Sequence, residues 1–212
     1  GLGNDPTGLV LHQGMLLVSG TDGLLLRIDP WTGAVVQAPL DTQFDVQGMA
    51  FNGLPPPGKA YCFGTNCPCG NADPSAGCAN STGSGALLLA FGTPSVVQDD
   101  LVLFATGMPA NQFALFYMGA SVIEIPFGDG KLCAGAGGYG NFRFLPVRKS
   151  GSTGSLALGP GIGWHATQHF GATGQISVGF TWNFQIWYRD GNGSPCGGAF
   201  NLSNAYATTF QP

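Results

Sequence analysis

Glycine and proline interrupt this chain so often that it cannot form long helices. It holds 36 glycines and 15 prolines in 212 residues. Proline removes a backbone donor and fixes φ, while glycine costs about 1 kcal/mol relative to alanine inside a helix. Between these breaks stand short apolar segments at residues 86–91, 101–105, 113–118, 142–147, 176–180, 183–188 and 205–210. Short strands with such punctuation predict a sandwich or barrel rather than alternating strands and helices. Along residues 180–188 the bulky side chains Phe180, Trp182, Phe184, Ile186 and Tyr188 alternate with Thr181, Asn183, Gln185 and Trp187. That period of two sends the first set inward and the second toward water. The expected fold is therefore all-β: a disulfide-stapled antiparallel β-sandwich, jelly-roll or immunoglobulin-like.

The first part of the chain has a different texture. Residues 9–11, 15–19, 24–28 and 34–37 read as four short strands of a meander, separated by turns such as Thr21-Asp22-Gly23 and Asp29-Pro30-Trp31-Thr32-Gly33. Residues 52–59 carry the glycine and proline of a linker. The expected organisation is a meander and linker over residues 1–57, followed by a cysteine-containing sandwich domain over residues 58–212.

Six cysteines, Cys62, Cys67, Cys69, Cys78, Cys133 and Cys196, form an even set, which favours disulfides and an oxidising compartment. A zinc reading of the first four lacks the paired Cys-x2-Cys knuckles of a tetrahedral site. Cys67 and Cys69 stand too close in sequence to bond each other without strain. If the cluster closes internally, Cys62 pairs with Cys67 or Cys69 and Cys78 takes the other, leaving Cys133 and Cys196 to staple two distant strands. Charged residues make up only 8% of the chain and the formal charge is −4. With no run of Lys or Arg to neutralise phosphates, nucleic acid is not an expected partner. No apolar stretch approaches the roughly 20 residues needed to span a bilayer. No charged, apolar, small-residue signal pattern opens the chain, and a start at Gly1 without Met reads as processed or excised.

Two resemblances accompany these features. The strands around residues 15–33, ending in Arg27-Ile28-Asp29-Pro30-Trp31-Thr32-Gly33, resemble one blade of a β-propeller of the NHL or quinoprotein-like kind. A single blade cannot bury its own faces, which implies packing on the rest of this chain or on another. From Tyr61 onward the chain resembles a planctomycete-type C-terminal domain of large secreted bacterial proteins. The residues that carry the likeness are Tyr61-Cys62-Phe63-Gly64, Cys67-Pro68-Cys69-Gly70-Asn71, Gly77-Cys78-Ala79-Asn80-Ser81, Pro126-Phe127-Gly128-Asp129-Gly130, Leu132-Cys133, Gln185-Ile186-Trp187-Tyr188-Arg189-Asp190 and Phe200-Asn201-Leu202-Ser203-Asn204-Ala205. The resemblance implies an extracellular or cell-surface location and no known catalytic activity.

Chemistry-bearing motifs are few. No Gly-x-Ser-x-Gly elbow occurs. Asp99 and Asp100 read as turn residues, and Asp129 as the self-capped turn of Phe-Gly-Asp-Gly. Residues 135–140 spell Gly-x-Gly-x-x-Gly, but a strand rather than a helix is expected after them, so a dinucleotide site is not. His165 and His169 could share a metal only on a helix or bend, and the neighbouring glycines argue against a helix. Asp190, Asn192 and Ser194 offer oxygens at alternate positions, the arrangement of a calcium loop, without the bidentate Glu that would complete it. Calcium is thus the one cofactor for which the sequence offers a site. Trp164, Trp182, Trp187 and Tyr188 are candidates for a sugar-stacking platform, with alternation assigning Trp182 and Tyr188 to the core and Trp187 to the surface. Asn80, Asn192 and Asn201 head glycosylation sequons, which carry little weight in a bacterial protein.

The functional expectation is a non-catalytic extracellular structural protein. In it, the N-terminal hairpins, through Leu24, Leu26 and Ile28, add to a neighbouring chain to build a filament or surface matrix. The alternative is a secreted module that recognises glycan or cell envelope.

Overall fold

The computed structural model describes residues 56–191 and 193–212 in full and, before them, the backbone of four strands. These are β1 (Pro6–His12), β2 (Met15–Gly20), β3 (Leu24–Ile28) and β4 (Val35–Asp41), paired antiparallel in sequence order as the turn residues predict. Their side chains, and with them the proposed docking residues Leu24, Leu26 and Ile28, lie outside the described residues.

The remainder is built from β5 (Lys59–Tyr61), β6 (Leu87–Phe91), β7 (Val102–Thr106), β8 (Phe113–Gly119), β9 (Ser121–Phe127) and β10 (Gly130–Gly135). There follow β11 (Asn141–Arg143), β12 (Arg148–Lys149), β13 (Leu156–Leu158), helix α1 (Ile162–His169), β14 (Thr181–Arg189), β15 (Phe200–Leu202) and β16 (Ala205–Thr209). A seven-stranded sheet runs β11-β8-β14-β16-β5, with β12 also on β8 and β15 also on β14. A three-stranded sheet runs β13-β7-β6, and β9 and β10 form a separate hairpin.

The two larger sheets share one core, giving a sandwich-like, all-β fold. Phe116 and Met118 of β8 and Trp182, Phe184, Ile186 and Tyr188 of β14 pack with Leu88, Leu103, Leu156 and Leu158 of the smaller sheet. The inward half of the period-two reading holds, with Trp182, Phe184, Ile186 and Tyr188 buried, but the other face does not meet water: Asn183 and Gln185 are buried as well, because the β9–β10 hairpin covers them. Asn204, buried after β15, ties the sheets together: its Oδ1 accepts from Leu88 N–H at 2.7 Å and its Nδ2 donates to Leu88 C=O at 3.1 Å.

A short helix forms where glycines were expected to prevent one. Gly159 and Gly161 precede α1 at φ 100° and 91°, and only Gly163 lies within it. The group that starts the helix is distant in sequence. Asp99, in a left-handed turn conformation, accepts from Gly163 N–H at 2.7 Å and Trp164 N–H at 2.8 Å, doing from another loop what an N-cap side chain does locally. At the other end Gln175 Nε2 donates to Phe170 C=O at 2.6 Å. Ile162 and Ala166 bury one side of the helix in the core.

The six cysteines stand in three pairs at disulfide distance, the pattern of an oxidising, extracellular-type environment. The pairing differs from an internally closed cluster. Cys67 joins Cys78, but Cys62 joins Cys133 and Cys69 joins Cys196, with Cα separations of 5.7, 6.4 and 5.6 Å. Cys133 sits on β10, and the hairpin brings it over the start of the cysteine loop. Sequence spacing carries no information about that crossing.

Candidate ligand cleft

The outer face of the large sheet carries Leu115 and Tyr117 from β8, Asn183, Gln185 and Trp187 from β14 and Leu202 from β15. The β9–β10 hairpin lies across it, and Ala134 packs with Tyr117 and Leu202. Its turn needs glycine: Gly128 has φ +60°, and a Cβ there would run into the ring of Phe200.

Polar groups fix the hairpin in place. Gln185 is fully buried beneath it and uses its whole carboxamide. Oε1 accepts from Cys133 N–H at 2.9 Å, Ala134 N–H at 3.3 Å and the Tyr117 hydroxyl, while Nε2 donates to Lys131 C=O at 2.9 Å and Ser203 C=O at 2.7 Å. Tyr61 donates its hydroxyl to Cys133 C=O or Asn183 Oδ1, at 3.1 and 3.0 Å. Burial raises the pKa of both phenols, so they remain protonated donors. Lys131, only 6% exposed, directs its ammonium to Phe63 C=O, Thr65 C=O and Glu124 Oε1 at 2.9, 2.8 and 2.6 Å. Every donor of that buried cation is thereby used.

Beside the hairpin the same face opens into a cleft of about 350 Å³. It is lined by Leu115, Leu132 and Leu202, by the rings of Tyr117, Phe127 and Trp187, and by Asn141 and Arg143. Strand register explains why these residues meet. Arg143 lies opposite Tyr117, Leu115 opposite Trp187, and Trp187 opposite Leu202, so one pleat parity delivers them all to one side. Phe127 contacts Phe200 at 5.0 Å between centroids, and Phe200 contacts Trp187 at 5.8 Å. The Arg189 guanidinium stands over the Trp187 ring at 5.3 Å.

Of the aromatic candidates, Trp187 alone reaches this cleft. Trp182 and Tyr188 are core, and Trp164 projects from α1 at 64% exposure. Sequence patterns alone give Asn141, Arg143 and Phe127 no ligand-binding role. A signal existed for Arg143, since it alternates with Phe142 and Phe144 and must face away from the core they enter.

The other candidate groups serve the framework. Asp190 is fully buried, and both its oxygens lie within 3.2 Å of Ser81 N–H. Burial raises its pKa, Ser81 opposes the shift, and the nearby Asp129 charge adds to it. Ser194 Oγ accepts from Ala199 N–H at 3.2 Å, and Asn192 lies outside the described residues. Asp129 is not self-capped: its carboxylate crosses to Cys196 N–H at 3.2 Å and Gly198 N–H at 2.7 Å, beside the Cys69–Cys196 bridge. Asp100 accepts from Thr93 N–H and Oγ1–H. The sequon residues Asn80 and Asn201 are buried and donate to backbone carbonyls. The glycine loop at 135–140 leads into strand β11, so no helix N-terminus faces it.

On α1, His165 and His169 stack one turn apart with centroids 4.4 Å apart. Among the described residues no group of three or more His, Cys, Asp or Glu is placed to hold a metal. His165 also packs on Phe144 and Phe170. Desolvation, then the charges of His169 and Arg148, lower its pKa from 6.5. The native state therefore holds this imidazole neutral where the unfolded chain binds a proton. The stabilisation is complete above 6.5 and declines as pH falls toward the lowered value. Thermal melts from pH 7.5 to 5 are expected to fall more steeply for the wild type than for His165→Asn.

Comparison with family models, with curated proteins and with solved structures finds no match to this chain.

Proposed function

We propose that this chain is a non-catalytic extracellular binding module that holds a saccharide in the cleft beside the β9–β10 hairpin. The observation that carries the reading is the lining itself: aromatic rings, leucines and two polar heads on a rigid sheet face. Aromatic faces suit the apolar side of a pyranose ring, and a few fixed polar groups orient its hydroxyls. The disulfide pattern supports secretion, as does the resemblance to secreted planctomycete-type domains. Asp99, Asp100, Asp129 and Asp190 are each engaged with backbone N–H groups, which leaves them in structural roles rather than as acid–base pairs. On a glycan array, Trp187→Ala is expected to reduce binding about tenfold or more, the scale of losing a central aromatic anchor. Trp164→Ala, on a remote exposed site, leaves it intact. Equal loss from both variants, or from neither, would reject the cleft.

Assembly through the N-terminal meander is the second reading, favoured by a four-stranded sheet in which, among the described residues, β1 and β4 each pair on one side only. Light scattering of the native protein separates the readings. Large particles that disperse on truncation before residue 57 support assembly, and a monodisperse 21.8 kDa species supports the binding module alone.

A further inference from the structure

Resting on the cleft reading, we infer that its ligand is an acidic saccharide, a hexuronate whose carboxylate is received by Arg143. Arg143 reaches the cleft from β11, and no carboxylate belongs to the lining. Among the described residues neither Arg143 nor Arg189 forms a salt bridge: Glu124 is taken by Lys131, and Asp190 beside Arg189 turns inward to Ser81. Two of the chain's four arginines thus stand on one sheet face without a carboxylate partner among the described residues, Arg189 resting on the Trp187 ring, although the chain as a whole is acidic. A guanidinium without a carboxylate partner beside apolar rings is a poor choice for a neutral sugar, since nothing offsets the partial desolvation of its charge when the cleft fills. A carboxylate offsets it, because the planar fork of arginine matches two carboxylate oxygens.

The rest of the lining suits the remainder of such a sugar. Trp187 presents a ring to the C–H face, and Asn141 supplies a donor and an acceptor for hydroxyls. Arg189, over Trp187, adds a second positive charge along the same strand. The volume is at the small end of the roughly 300–1,000 Å³ usual for ligand sites, which points to a single or terminal sugar unit rather than a length of chain.

The test is calorimetric titration of the intact protein with tetragalacturonate, its methyl ester, galacturonic acid and a sulfated galactan oligosaccharide. Binding of the acid is expected to exceed that of the ester by about tenfold or more and to weaken with added salt. Arg143→Gln is expected to erase the difference between acid and ester. Arg143→Lys keeps part of it, and Trp187→Ala weakens both ligands together. Galacturonic acid alone distinguishes a monosaccharide site from one that needs a chain end. Equal affinity for acid and ester, with no effect of Arg143→Gln, would overturn the charge inference and leave the saccharide cleft standing. Preference for the sulfated oligosaccharide overturns the carboxylate assignment. Failure of every sugar to bind, at concentrations reaching the millimolar range, overturns both.

Discussion

Replacing Gln185 by leucine is expected to cost about 3 kcal/mol or more, read as a lowered denaturation midpoint at unchanged slope. The side chain is fully buried and makes five hydrogen bonds, four of them to the backbone of the hairpin and of Ser203. Leucine fills a similar volume but strands two N–H donors, a phenol and two carbonyls in an apolar setting, each costing about 1–3 kcal/mol if left unpaired. Gln185→Glu sharpens the point. One oxygen can still accept from Cys133 and Ala134, but the other faces the Lys131 and Ser203 carbonyls and must carry a proton to donate. Its pKa is therefore raised in the folded state. The variant is expected to be most stable below the ordinary glutamate value of about 4.3 and to lose stability as pH rises through the raised value. A Gln185→Glu melt insensitive to pH would contradict the hydrogen-bond assignment.

The double change Cys62→Ser, Cys133→Ser is expected to cost about 2–4 kcal/mol and to loosen the hairpin selectively. The bridge spans 71 residues, but Cys67–Cys78 and Cys69–Cys196 already constrain much of the intervening chain, so the full long-loop value does not apply. What sets this bridge apart is its position. It fastens β10 to the end of β5, and β10 itself supplies Leu132 to the cleft while its hairpin partner β9 supplies Phe127. Amide exchange should therefore accelerate within residues 121–135, and saccharide binding should weaken with it. Removing Cys67–Cys78, with a separation of only 11, is expected to cost less and to leave exchange in the hairpin unchanged. Equal effects of the two deletions on hairpin exchange would detach the hairpin from the Cys62–Cys133 bridge.

The parts of the fold legible in the sequence were those encoded by local rules. Alternation along residues 180–188 placed Trp182 and Tyr188 inside and Trp187 outside, because pleat parity is a property of the strand itself. The glycine- and proline-containing turns marked where strands end. Features that depend on which strand lies over which were not legible. The cysteine pairing required knowing that β10 folds back across the sheet toward Cys62. Helix α1 required Asp99, a group that no window around residues 162–169 contains. The cleft lies between these cases. Trp187 was visible as an outward aromatic residue, and Arg143 was recoverable from its alternation with Phe142 and Phe144. That both join Phe127 is a fact of register and of the hairpin's course, which spacing alone does not report.

Ligand is expected to enter the cleft on the outer face of the large sheet. Nitrogen-15 spectra of the four tryptophan indole N–H groups, recorded during titration with tetragalacturonate, test it most directly. The indole resonance of Trp187 is expected to shift in a saturable manner while those of the buried Trp182 and the remote Trp164 hold still. A saturable shift confined to Trp164 or Trp31, with Trp187 unmoved, would contradict the account.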